Sequence, residues 1–174
     1  MGAGVVSILF GNVLTGAWWI LIGLFLQRAS AASYEQVVLR RALEGEPVRR
    51  FMSATPITVP PELSLAELVE SFIYRYHYQL FPVVEGGRLV GCVTTTHVKG
   101  VPREEWGRRT VGSVFERSGP DNTVPPDADA LRAMALMRRT GQPRVMVAED
   151  GRLLGIVTLK DLLDFFALKV ELGG

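Results

Sequence analysis

The pentapeptide Gly87-Arg88-Leu89-Val90-Gly91 returns as Gly151-Arg152-Leu153-Leu154-Gly155, 64 positions later. Thr58-Val59-Pro60-Pro61-Glu62 returns as Thr123-Val124-Pro125-Pro126-Asp127, shifted by 65. The chain therefore holds two copies of one unit. Two are too few for a solenoid, in which three or more repeats stack to bury a continuous core. They close instead on each other as one compact domain.

The apolar period changes in the same order in both copies and reads β-α-β-β-α, an α+β class. In the first copy Ile57 to Val59 is a short strand ended by Pro60-Pro61. Ser64 and Glu67 form a capping box. Behind it Leu65, Leu68, Val69, Phe72, Ile73 and Tyr76 share one helical face. Phe81 to Val84 and Leu89 to Thr94 are two strands joined at Gly86-Gly87, where glycine supplies the positive φ of a hairpin turn. In the second copy Thr123-Val124 is the strand and Asp129 caps a helix to about Arg139. Val145 to Ala148 pairs with Leu153 to Val157 through Asp150-Gly151. A last helix from about Leu159 to Leu172 is expected to bury Leu162, Leu163, Phe165, Phe166 and Val170.

Ahead of the repeats, Gly4 to Leu26 is a run of 23 residues without a charge. At a rise of about 1.5 Å per residue it crosses a hydrocarbon core of about 30 Å. A signal peptide would carry a basic start, and no Lys or Arg precedes Arg28, although Ala29-Ser30-Ala31 resembles a cleavage site. A buried soluble helix would need more chain to cover it than follows. Residues 1–27 are therefore expected to form a transmembrane segment, and 28–46 a helical connector ending near Gly45 before Pro47. Gly11, Gly16, Gly23 and Asn12 suit contact with neighbouring helices in the membrane. Arg28, Arg40, Arg41, Arg49 and Arg50 follow the run, so the remainder is expected on the cytoplasmic side of the cell membrane. Lys and Arg number 19 against 18 Asp and Glu, for a net charge of +1, which gives no electrostatic case for nucleic acid. One cysteine, Cys92, excludes an intrachain disulfide. With two histidines it also excludes a zinc finger.

The repeated strand, Pro-Pro turn, helix, FPVV hairpin and G-h-h-T ending (h apolar) resemble a pair of CBS domains, over residues 48–170. The resemblance implies two repeats about a pseudo-twofold axis, 47–109 with the inter-repeat linker and 110–174. A narrower resemblance joins WWILIGLFL, SYEQVVLRRALEGEPVRRFM and GCVTTTHVKGVPREEWGRRTVG to the C-terminal portion of site-2-protease-type intramembrane zinc metalloproteases. There a last membrane helix leads into a cytoplasmic CBS pair. That chemistry needs an HExxH helix, and His77 and His97 are the only histidines here, neither with a second His four residues away. No catalytic residue is expected in this chain; zinc belongs to the remaining protease part.

The CBS resemblance also implies clefts for an adenine nucleotide (AMP, ADP or ATP) or S-adenosylmethionine. A T-x-x-D motif there meets the ribose, apolar strand residues sandwich the base, and Arg neutralises phosphate. Thr158 and Asp161 carry the motif. Arg144 just before the preceding strand, Val145 and Met146 on it, and Thr123 and Val124 complete the candidate site. Thr158 capping the last helix, with Asp161 at its positive end, explains the same residues structurally. The first copy offers a weaker site at Thr58, Thr94 and His97. His97 replaces the ribose-binding Asp, and neutral imidazole has one acceptor where a carboxylate has several. The expected role is a ligand-sensing regulator of intramembrane protease helices, in cis or in trans, with a homodimer implied by resemblance. The rival is a pair that only dimerises or docks. Tyr74, Tyr76, Tyr78 and His77 could stack on a base, but periodicity favours packing for Tyr76. Arg138-Arg139 reads as a solvated face, Cys92 as a buried thiol, and Trp106 as a linker anchor.

Overall fold

The computed structural model describes residues 43–172. The apolar run 4–26 and most of the connector lie outside the described residues, and with them the membrane-span and connector-helix expectations. Among the described residues no helix is long and apolar enough to cross a membrane.

In the first copy Ser64 Oγ accepts from Glu67 N at 3.2 Å and starts a helix of three parts. These are Leu65–Glu67, a π-helical Leu68–Ile73 and Tyr74–Tyr76, together α1. Leu65, Leu68 and Val69 are buried; Phe72, Ile73 and Tyr76 pack partly buried against the same core. β1 (Leu80–Glu85) and β2 (Arg88–Thr94) form an antiparallel hairpin. Gly86 and Gly87 turn it with φ of 55° and 79°. A short α2 (Thr95–Lys99) follows, and the linker contributes β3 (Glu116–Arg117). The second copy is β4 (Thr123–Val124), α3 (Ala130–Thr140), β5 (Arg144–Glu149), β6 (Arg152–Thr158) and α4 (Leu159–Glu171).

Two expectations need correction. The strand at Ile57–Val59 shrinks to one parallel bridge, Val59 to Val83. Pro60 and Pro61 lack the N–H groups that would carry a ladder further. In α4 only Leu162 is buried and Phe165 and Phe166 are half-buried. Leu163 and Val170 are 42% and 52% exposed. The helix packs on β6 and α3 along one side, which leaves the other open.

Two three-stranded sheets result, ordered β1-β2-β3 and β4-β5-β6. β4 runs parallel to β5, and the other pairings are antiparallel. The leading segments are exchanged between copies. β3 leads into the second copy but pairs with β2 of the first, Cys92 opposite Glu116. Ser53 leads into the first copy but bridges Ile156 of the second. The glycines of the repeated pentapeptide sit at these crossings. A Cβ on Gly91 would lie 2.0 Å from the Glu116 carbonyl oxygen, and one on Gly155 2.5 Å from that of Ser53. Leu80, Leu89, Cys92 and Met146 form a buried cluster shared by the two sheets.

Candidate functional site

β6 delivers Thr158 to the head of α4, in extended conformation (φ −112°, ψ 156°). Its Oγ1 accepts from Asp161 N at 3.1 Å. Its backbone N donates to Asp161 Oδ2 at 2.9 Å, and its hydroxyl donates to the same oxygen at 2.7 Å. Thr158 and Asp161 are half-buried. The capping role is thus fulfilled, and the carboxylate is fixed beside a helix N-terminus, where negative charge is favoured.

Arg144, at the start of β5, is the strand partner of Thr158. Its guanidinium stands 4.7 Å from the ring centroid of Tyr78. Tyr78 stacks in turn on Tyr76, with centroids 6.0 Å apart and planes at 26°.

The first copy repeats the box with altered chemistry. Thr94 N donates to His97 Nδ1 at 3.2 Å, and His97 N to Thr94 Oγ1 at 3.4 Å. With Nδ1 accepting, the neutral ring carries its hydrogen on Nε2, a donor where the second copy has a carboxylate. Thr94 and His97 line a cavity of about 140 Å³ with Asn122, Thr140, Gln142 and Arg144 of the other copy. The cleft therefore takes its motif from one copy and its opposite wall from the other. By the repeat alignment, Asn122 corresponds to Ile57, and Thr140 and Gln142 to Tyr76 and Tyr78.

That exchange sorts the residues expected at the site. Strand register sets Arg144 beside Thr158 and so near Asp161, but the cavity that Arg144 lines is that of Thr94 and His97. Thr123 lines another cavity, with Ser118, Gly119 and the Asp150-Gly151 turn, and its hydroxyl donates to the Gly119 carbonyl at 2.6 Å. Val124 lines a third, beside Arg132 and Arg139. Val145 and Met146 are buried at 1% and 0% exposure. Thr94 and His97 line one cavity, whereas Thr58 is exposed and is not among the residues lining it. Tyr78 belongs to the tyrosine cluster that the sequence offers for base stacking and that periodicity sets aside because Tyr76 continues the core stripe. Tyr78 lies beyond α1 and is 40% exposed.

Cys92 also lines the first cavity. Burial, with the nearby charge of Glu116, pushes its thiol up to about 12, so it is no nucleophile at neutral pH. Among the described residues no cluster of His, Cys, Asp and Glu could hold a metal ion.

The model of the family described as "CBS domain" matches residues 48–103 and again 113–168. The chain belongs to the CBS domain family. Its CBS pair and the segment before it are 27% identical over 170 residues to a zinc metalloprotease of Methanocaldococcus jannaschii, covering 96% of this chain and 47% of that protein. The likeness thus runs through nearly the whole chain, as the narrower sequence resemblance implies. An inosine-5'-monophosphate dehydrogenase of Haemophilus influenzae is 32% identical over 130 residues, 70% of this chain and 25% of the enzyme. The chain spans less than half of either relative. Among solved structures, the CBS domain of the bacterial CNNM/CorC family Mg2+ transporter in complex with ATP superposes with a TM-score of 0.62. It is 25% identical and covers 76% of this chain and 97% of that one.

Proposed function

We propose that this CBS pair senses an adenine nucleotide, or a related ligand such as S-adenosylmethionine, in the cleft at Asp161. It passes the occupancy to an intramembrane zinc metalloprotease, whose helices lie in the same chain or in a partner. Residues 4–26 tether it to the membrane, with the pair on the cytoplasmic side. The observation that carries the reading is the Thr158–Asp161 box. Both Thr158 donors fall on Oδ2, so the carboxylate is oriented before any ligand arrives. A ribose diol gives two hydroxyls to it. Tyr78, backed by Tyr76, offers an aromatic face to the base. Arg144 leaves its cation–π contact to meet phosphate. The ATP-bound transporter domain of the same fold supports the ligand class. His97 makes the first cleft the poorer nucleoside site.

Calorimetric titration of the chain with ATP tests this. One site is expected per chain, absent in Asp161→Ala and doubled in His97→Asp. Full binding by a folded Asp161→Ala chain sinks the assignment.

A second reading rests on α4. Leu163 and Val170 on one side, and Leu168 with the following Leu172 on another, are 42–84% exposed. A pair that only dimerises or docks would use these residues. Leu168→Glu would then abolish self-association, and no nucleotide would shift the melting temperature.

A further inference from the structure

The segment entering the first copy is fastened to the second. Gly45 N donates to Asp129 Oδ2 at 2.8 Å. Val48 N donates to the Ala128 carbonyl at 2.9 Å, Arg49 N to that of Pro126 at 3.0 Å, and Ala130 N to that of Glu46 at 2.8 Å. Ser53 and Ile156 exchange both backbone hydrogen bonds, at 2.8 and 3.1 Å. Ile156 lies two residues before Thr158. On α4, Phe165 meets the buried Phe51 edge-on at 4.8 Å, and Lys169 reaches Glu46 at 3.6 Å. Arg50 pairs with Glu46 and lies over the Phe165 ring.

Residues 45–49 are thus fastened at the head of α3, while Glu46, Arg50, Phe51 and Ser53 also meet α4 and β6, the two elements whose junction is the Thr158–Asp161 box. We propose that α4 is the lever by which this cleft governs the segment leading back toward the N-terminal run. It acts through Phe165 on Phe51 and Lys169 on Glu46, and through Ser53 on β6. This deepens the nucleotide reading of the same cleft. A diol that claims the Asp161 carboxylate turns the Thr158 hydroxyl away from Oδ2 and resets the first turn of α4. Any resulting shift of the helix is felt one and two turns later, where Phe165 and Lys169 hold the segment. The equivalent segment before the second copy is fastened to the other motif strand, with Ser118 N on the Val90 carbonyl at 2.9 Å. Each cleft thus has its own follower, and only the follower of the Asp161 cleft continues to the N-terminal run.

Amide hydrogen exchange on the full 174-residue chain tests this, with and without saturating ATP, in wild type, Thr158→Ala and Thr158→Ser. Thr158→Ala removes a helix cap and should speed exchange at Val48, Arg49 and Ser53 about fivefold, with β1 unchanged and Thr158→Ser restoring the wild-type rate. ATP should alter the same amides. Binding of ATP, shown by a thermal shift, with no change at these amides overturns the lever. Absence of ATP binding together with the Thr158→Ala effect leaves the lever standing and rules out ATP as the ligand. Absence of both overturns the lever.

Discussion

Gly91 and Gly155 show what single residues do in this fold. Each admits a backbone carbonyl from the other copy's leading segment where a methyl group would collide. Gly91→Ala should lower stability by about 2–3 kcal/mol, the cost of forcing extra atoms into a packed site. Gly87→Ala, at positive φ but in open space, should cost less; chemical denaturation of both variants makes the comparison. The sequence shows both glycines as matching members of a repeat. It does not show why they match, because the carbonyl that excludes a side chain comes from the other copy's leader. Cys92 gives a pH-dependent prediction. Its thiol rises from 9.0 unfolded to about 12 folded, so the folded state resists the thiolate. Stability from this group is intact below pH 9 and is lost between pH 9 and 12 as the unfolded chain ionises. Cys92→Ala should remove that alkaline loss from the unfolding free energy. At pH 8 the native thiol should resist iodoacetamide until the chain unfolds.

Among the elements, the helix starts and hairpins are the most legible parts of the sequence. Ser64, Asp129 and Thr158 cap as their neighbours predict, and the Gly86-Gly87 and Asp150-Gly151 turns adopt the positive φ their residues suit. These features depend on three or four adjacent residues. What the sequence hides depends on remote partners. The exposed side of α4 follows from what packs on its other side. Asp129 shows both kinds of information. Its Oδ1 caps α3 at Leu131 N, as expected, while its Oδ2 ties down Gly45, 84 residues away. Asp129→Ala should therefore cost about 1–2 kcal/mol, the upper part of the range for a lost cap. It should also free the amide of Gly45, and exchange measured by NMR would show both effects.

At the scale of the whole molecule, exchanged leaders make each sheet a joint product of the two copies. Residues 47–109 alone lack β3, and 110–174 alone lack Ser53 and the 45–49 segment that binds the head of α3. Neither half should show cooperative thermal unfolding by circular dichroism; mixing them should restore it. The repeat arithmetic reveals the two copies but not the exchange, which is why Asn122, Thr140 and Gln142 were not expected beside His97. The same exchange places Tyr78 of one copy against Arg144 of the other, next to the Thr158–Asp161 box on which the functional account depends. That account is tested most directly by a thermal-shift titration of the chain with AMP, ADP, ATP and S-adenosylmethionine, each protein compared with its own unliganded midpoint. Ligand at about 100 times its dissociation constant should add about 2.7 kcal/mol, for at least one of the four, and Asp161→Ala should abolish the rise. A flat response to all four by a folded chain, or a rise undiminished in Asp161→Ala, would contradict the claim that the Asp161 cleft is a nucleotide sensor.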